Sequence, residues 1–598
     1  MKIFMVWLLI IVIGNLIANE SQTIDFSIMD TSINPGDNFY RYANGKWLNE
    51  NSLPEGRSRF GFFDIAENRT NNELILMMQE KTEDTLQKLI AEFYTSGMDT
   101  IAIKKTGISA LAPQLEMINK ISDNPDLTRA LAYLQLIGIN PLFEIHSPKY
   151  WEMRGTHYLY LRQTVTTLEN SPDTEIIQQL ARAITPSSKK YNLYNLRKLQ
   201  RAFPNIIWEE YFMILQIEDK KTVIAEPDYF EMISDMLAEY SIAEWKAYLE
   251  WKLLDSAESL LKASADRELF VMQTISDCLP ELTGHLYTQK YFNNETRQQV
   301  HNITSNLQSA FRIRINDKDW LSSKTKKLAV QKIDNFTFKI GEPDFNGSDY
   351  AELQIDPAGF LQNVFNSRKL HTINRLQNCG SILKNEEWIV PAHSTNAWYS
   401  INRNDITLPA AYINQLFDIN NDAATSYAQL ATAIAHEMTH SLDDMGRRYN
   451  ADGKSKKWWK KSEIKYFNIL SQKLVNQYDS YILIDTLHVN GKNTLGENIA
   501  DLGGLNIAYD AYKIATAAEE SEILNGFSPD QRFFLAYAQK WRDILSDDLK
   551  RQYATGYYHA PPEFRTNGNV YNLDAFYDSF SIEKGKPYKK KENRINIW

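Results

Sequence analysis

Apolar positions along the chain fall into two textures. Between about residues 74 and 313 they recur at three- and four-residue spacing, as in 233–240 and 245–261, which predicts a series of amphipathic helices. Pro204, Pro227 and Pro280 punctuate this region and predict breaks between helices. Near Phe336 the texture changes. Phe336-Thr-Phe-Lys-Ile340 and Trp388-Ile-Val390 predict short strands, and long helical patterns return at 426–445, 462–478, 497–517 and 529–546. Upstream of both textures, residues 30–47 read as turn-rich, with Pro35-Gly36-Asp37 followed by aromatics. No internal repeat is visible, so the pattern predicts one helical and one mixed lobe.

Composition narrows the class. The 598 residues are 43% hydrophobic and 12% aromatic, ample for a large core and for two or more domains. With 24 Gly and 19 Pro, collagen-like, linker-dominated and disordered chains are excluded. The 65 Lys and Arg against 75 Asp and Glu leave a net charge of −10, which gives no support to a nucleic-acid partner. Cys278 and Cys379 are too few for a disulfide framework. Lys589-Lys-Lys591 reads as a solvated tail, Trp458-Trp459 as core, and Asn450-Ala-Asp-Gly453 as a turn rather than a calcium loop.

The first residues read as an export signal. Lys2, an apolar run over 3–13 and the small Ala18 predict a secretory leader over 1–18, with a retained anchor as the competing reading. The run is shorter than the roughly 20 apolar residues that span a bilayer. No cysteine follows it to carry a lipid, and no other stretch approaches that length. The expectation is an exported protein without a stable membrane span after processing.

The chemistry is concentrated in His436-Glu437-Met438-Thr439-His440, an H-E-x-x-H pattern in a stretch free of Gly and Pro, with Gly446 placed to stop a helix. On a helix the two histidines lie about 6 Å apart along the axis and on one face, where neutral imidazoles can bind one Zn²⁺. Glu437 is then placed to hold a water rather than the metal. Catalytic zinc typically takes three protein ligands. Glu497 and Asp501, four residues apart, would share a helical face, with Glu497 as third ligand and Asp501 steadying a histidine. Thr494-x-x-Glu497 is equally a capping box, and spacing alone leaves both readings standing.

Taken with their surroundings, these motifs carry a resemblance. His436-Glu-Met-Thr-His-Ser-Leu-Asp-Asp-Met-Gly-Arg447 and Gly496-Glu-Asn-Ile-Ala-Asp-Leu-Gly-Gly-Leu505 resemble the neprilysin and endothelin-converting-enzyme family of zinc metalloendopeptidases, nearest its bacterial oligopeptidase O branch. The segments 35–47, Asn396-Ala-Trp-Tyr399, 559–565 and Trp598 match further family signatures in order. The resemblance implies a mainly α fold with a small β-sheet. A thermolysin-like catalytic lobe (19–78 and 315–598) would be joined by a helical cap lobe (79–314) enclosing the cleft.

The roles it implies are specific. One zinc per chain would be bound by His436, His440 and Glu497. Glu437 would be the general base, Asp501 would support catalysis beside the metal, and Asp443 would orient His440. His559 would stabilise the oxyanion. Asn396 and the Ala397 backbone would bind the peptide main chain, and Arg565 would hold a substrate carbonyl. Arg59 and Phe63 would line the pocket on the primed side, where the product's new amino terminus lies. Read alone, Asn396 follows the strand-like 388–390, whose edge could pair with an extended peptide, while His559 sits in a loop-like Tyr558-His-Ala-Pro-Pro562. The implied substrates are oligopeptides cut on the amino side of large hydrophobic residues, in a periplasmic, cell-surface or secreted setting. Two cysteines in place of many disulfides favour a bacterial source.

Departures from the family mark where it is a weaker guide. The approach to the metal motif, Tyr427-Ala-Gln-Leu-Ala-Thr-Ala-Ile-Ala435, lacks the family's glycines, which puts the pocket shape and helix packing in question. Glu67 stands where vertebrate relatives carry a second arginine, which weakens a preference for a free carboxylate nearby. The stretch 158–189 is shorter than usual. Competing functions are a zinc aminopeptidase, for which no amine-recognition motif is found, and a peptide-binding or adhesion protein on a retired peptidase scaffold. Binding to host proteins is left open as an additional activity.

Overall fold

Polar side chains ahead of the apolar stripes set where many helices begin. Ser241 and Glu244 cap each other's backbone groups to open the helix Ile242–Leu261, and Ser528 with Gln531 does the same for Pro529–Lys540. Pro227 and Pro280 stand at the first positions of Pro227–Glu239 and Pro280–Tyr291, where a missing N–H costs nothing. The structure, a computed structural model, describes residues 24–146, 156–164, 171–172, 174–181, 192–218, 220–262, 266–381, 387–585 and 589–598. The expected leader over 1–18 lies outside them.

The chain forms two compact units. One comprises Glu73–Leu286 and Pro343–Pro391; the other comprises the residues up to Asn72, Tyr287–Glu342 and Ala392–Trp598. This division differs from the one read from sequence. The boundary expected at 314/315 falls at 286/287, and 343–391, expected with the metal motif, belongs to the helical unit.

The helical unit packs its amphipathic helices around residues such as Trp208, Tyr211, Tyr229 and Trp245, all fully buried. It also contains a four-stranded sheet that periodicity did not reveal, in the order Phe143–His146, Leu159–Gln163, Thr222–Ile224, Asn192–Tyr194. Strands of three to five residues are too short to show a period of two against a helical background.

The second unit carries the H-E-x-x-H segment. Besides a short hairpin of Ile482–Ile484 with Leu487–His488, it has five strands that matter below: β1 (Arg59–Gly61), β2 (Thr337–Gly341), β3 (Trp398–Ser400), β4 (Asp405–Pro409) and β5 (Asp543–Leu545). The sheet order is β2-β4-β3, with β2 parallel to β4, β3 antiparallel to it, and β3 at the edge. β1 pairs antiparallel with β5. Four helices matter below: α1 (Thr432–Thr439), α2 (Leu495–Ala515), α3 (Pro529–Lys540) and α4 (Pro562–Val570).

Several local expectations are corrected. Trp388-Ile-Val390 is irregular; the strand lies at β3, which turns into β4 at Asn404, whose φ of 55° suits an asparagine. The expected helix over 529–546 ends at Lys540, because the chain crosses to pair β5 with β1. The expected helix over 426–445 is present as one uninterrupted helical stretch from 423 to 442, with a π-helical turn at Tyr427–Ala431 ahead of α1 and a 3₁₀ turn at His440–Leu442, so it stops before Gly446. The aromatics after Pro35-Gly36-Asp37 lie on a helix, Phe39–Glu50, capped by Asn38. Lys590 and Lys591 are exposed as expected, but Lys589 is half-buried: its Nζ donates to Gln477 Oε1 and to Asn572 Oδ1 at 2.8 Å, and burial pulls its pKa down to about 8. Trp459 is core, packed on Trp598 and Phe467, and 450–453 is a turn.

Candidate metal centre

α1 and α2 bring the metal motif together. Two glycines let them approach: a Cβ on Gly504 would lie 2.8 Å from His436 N, and one on Gly503 would lie 2.6 Å from Thr439 Cγ2. Across this contact His436 Nε2, His440 Nε2 and a Glu497 carboxylate oxygen converge, with the ligand atoms of all three within 4.8 Å of one another. The two Nε2 atoms are 3.1 Å apart, and Glu497 Oε2 lies 3.2 and 3.6 Å from them.

Hydrogen bonds on the far side of each ring fix what those atoms are. His436 Nδ1 lies 2.8 Å from Asp501 Oδ1, and His440 Nδ1 lies 2.8 Å from Asp443 Oδ2. A carboxylate only accepts, so each Nδ1 carries the proton and each neutral ring turns a lone pair inward at Nε2. Glu497 Oε2 is buried and has no aligned hydrogen-bond donor, although His559 Nε2 is 2.9 Å away. Three acceptors converging in a buried place repel one another unless a cation lies among them. Two imidazoles and a carboxylate, each steadied from behind, form the donor set of a catalytic zinc site, and the residues fit that ion. The same field acts on a proton. Burial pulls His436 down, but Asp501 and Glu497 outweigh it and push its pKa up to about 10, while Glu497 is held far below the usual carboxylate range despite its burial by His436 and His559. Thr494 makes no side-chain cap to α2, so Glu497 has no reciprocal capping partner there.

The carboxylates behind the rings are themselves anchored. Asp443 Oδ1 accepts from Met445 N and Gly446 N at 2.8 and 2.6 Å. Asp501 is gripped by Arg565 on α4, Nε to Oδ2 and Nη2 to Oδ1, both at 2.7 Å. Burial favours a neutral acid, but Arg565 and His436 overcome it and hold Asp501 well below its ordinary range. The Arg565 guanidinium also lies 3.9 Å from the Trp541 ring centroid.

A cavity of about 390 Å³ opens beside the cluster. Of the residues singled out from sequence, Arg59, Phe63, Glu67, Asn396, His436, Glu437, Asp501, His559 and Arg565 line it. His440, Asp443 and Glu497 stand behind this wall, and Ala397 is buried next to exposed Asn396 at the start of edge strand β3. His559 sits in a loop before α4, where burial lowers its pKa. Arg59 pairs with Asp64 at 3.4 Å, and Phe63 packs on Trp541.

Sequence reasoning missed three contributors. The Arg565 clamp joins residues 64 positions apart, which no local spacing reveals. Lys332 is fully buried and donates to the carbonyls of Ser441, Gly446 and Tyr449, each at 2.8 Å, tying down the segment that carries Asp443. Lys540 is buried in the cavity wall. Lys332 falls on the buried stripe of its helix with Thr325 and Ala329, and Lys540 follows Phe533 and Tyr537 at helical spacing on a helix buried all round from 532 to 540. A charge on an apolar stripe is the signal that could have found them.

Two family models, both described as peptidase family M13, match the chain: one over 35–185 and 173–343, the other over 396–595. Similar curated proteins include an endothelin-converting enzyme homolog of Locusta migratoria, 26% identical over 96% of this chain and 92% of that one. Neprilysin of Mus musculus is 27% identical over 95% and 90%. Among solved structures, the Mycobacterium tuberculosis zinc metalloprotease Zmp1 in complex with an inhibitor has a TM-score of 0.76 at 26% identity, covering 96% of this chain and 99% of that one. PepO from Lactobacillus rhamnosis has a TM-score of 0.74 over 95% and 100%; at 19% identity this likeness concerns the fold alone.

Proposed function

Because the chain belongs to peptidase family M13, the zinc metalloendopeptidases of the neprilysin and endothelin-converting-enzyme type, we propose that it is an exported enzyme that hydrolyses oligopeptides with one zinc held by His436, His440 and Glu497. The observation that carries the reading is the convergence of three inward-facing acceptors, each imidazole fixed from behind by a carboxylate. Zinc bound there supplies Lewis acidity, lowering the pKa of water from 15.7 toward about 7 and polarising a carbonyl.

This chain's side chains supply the rest. Glu437, next to the first histidine and facing the cavity, takes the proton of the attacking water on its carboxylate and passes it to the leaving nitrogen. His559 Nε2 donates to the scissile carbonyl oxygen as negative charge develops. Asp501 and Asp443 keep the Nδ1 protons in place. Asp501 also fixes the Nε/Nη2 edge of the Arg565 guanidinium, which leaves its remaining N–H groups for a substrate carbonyl. Asn396, the Ala397 backbone and the free edge of β3 receive the peptide main chain. The family reading places the cut on the amino side of large hydrophobic residues, and Arg59 and Phe63 in the cavity wall support a primed-side pocket there.

Export rests on the pattern over 1–18, and among the described residues no helix is long and apolar enough to cross a membrane. The test is cleavage of an amino-blocked, internally quenched peptide, lost with a chelator and restored by zinc, with Glu437→Gln as a metal-binding but inactive control. Cleavage that survives chelation, or an active Glu437→Gln, overturns the reading. Failure to cut a blocked peptide while free-amine peptides are cut points to an aminopeptidase.

A further inference from the structure

Among the described residues, Lys540 in the cavity wall forms no ion pair. Lys540, the last residue of α3, is 2% exposed. Its Nζ donates to Gln429 O at 3.1 Å and to Thr432 Oγ1 at 2.5 Å, and lies 5.3 and 5.2 Å from the ring centroids of Tyr537 and Trp541. Lys540 lines the cavity together with Thr432, Tyr537 and Trp541.

An ammonium has three N–H donors, and two are used here. The other cations of the cavity are engaged. Arg565 is clamped on Asp501, Arg59 faces Asp64 and Asp543, and Arg542 lies over the rings of Trp47 and Phe62. The one carboxylate that acts on Lys540 is Asp501, already shared between Arg565 and His436. Burying a charge without a partner is strongly unfavourable, and burial pulls the Lys540 pKa down to about 7. A carboxylate brought into the cavity would reverse that penalty, with Phe63 and Trp541 covering its aliphatic stem.

We propose that Lys540 is a specificity-determining residue that binds a substrate carboxylate, borne on the side chain of the residue after the scissile bond, glutamate foremost. The proposal rests on the peptidase reading and departs from the large hydrophobic residue implied by the family resemblance. Among large side chains the pocket ranks glutamate above leucine.

The test uses zinc-loaded full-length protein and peptides blocked at both ends that differ only in that residue: Glu, Gln or Leu. Cut positions are mapped by mass spectrometry. The parent is expected to favour Glu over Leu in kcat/KM by about tenfold or more, and Lys540→Met to erase or invert that ratio. Lys540→Gln, which keeps donors for Gln429 O and Thr432 Oγ1 without the charge, is expected to do the same if Lys540→Met folds poorly. An equal loss on Glu and Leu peptides means that Lys540 only props up the Gln429 turn, and overturns the proposal, as does an unchanged ratio. A Leu peptide with a free carboxyl terminus is a further arm; a Lys540-dependent preference for that acid alone also overturns the side-chain assignment. Calorimetric binding of the Glu and Leu peptides to Glu437→Gln, with and without Lys540→Met, reads the same ratio at equilibrium. Absence of any cleavage would then count against the peptidase reading, while the binding ratio still decides the role of Lys540.

Discussion

At the residue scale, the metal cluster depends on bonds made away from it. Asp501 holds the His436 Nδ1 proton with one oxygen and Arg565 with both. Asp501→Asn should weaken zinc binding by about 10–100-fold, measured by competition with a chromophoric chelator; parent-like affinity would contradict this coupling. Glu497→Ala should leave the protein without stoichiometric zinc by elemental analysis. His559→Phe should lower kcat by about 10²–10³ with KM close to the parent, and a parent-like kcat would remove His559 from the reaction. His436, Glu437 and His440 were legible because a helix maps a four-residue spacing onto one face, and Glu497 with Asp501 for the same reason. Arg565 on Asp501 was not legible as a clamp, because tertiary packing alone pairs the two; read singly, it is one more surface charge.

At the scale of elements, the close passage of α1 and α2 sets the distance between Glu497 and the histidine pair. Gly504→Ala would put a methyl against the His436 backbone. It should cost about 1–3 kcal/mol in urea unfolding and loosen zinc binding together; a stable variant with parent-like affinity would show that the helices can part without moving the ligands. The long helices were visible from apolar spacing and caps. The π-helical turn before α1 and the crossover at Trp541–Arg542 were not, since both depend on where other segments pack. In the π-helical turn the Gln429 carbonyl accepts from Lys540, whose position depends on the end of α3. The edge strand was expected about ten residues early, because Trp388-Ile-Val390 has strand-forming side chains but no partner strand there.

At the scale of the molecule, half-buried lysines far from the imidazoles set a pH dependence. Burial lowers Lys318 to about 7 and Lys589 to about 8, against about 10.4 in an unfolded chain. Between those values the unfolded chain binds more protons, so the stability of the zinc-saturated protein should rise with pH from about 7 toward 10. Above that, buried tyrosines such as Tyr248 and Tyr399, raised by burial, should reverse the trend as the unfolded phenols ionise. Urea midpoints at pH 7, 8.5 and 9.5 check the rise, and a flat or falling series would contradict it. The two-unit division was legible in outline; the return of 343–391 to the helical unit was not, because no composition shift marks it. The unit with the metal cluster is assembled from three stretches of chain, and Arg59–Gly61 finds its partner only at Asp543–Leu545. At a synthesis rate of about 5–20 residues per second, the early stretch waits on the order of half a minute or longer for its mate to leave the ribosome. Peptide-bond cleavage can therefore begin only near the end of translation, so the chain is unarmed for most of its synthesis.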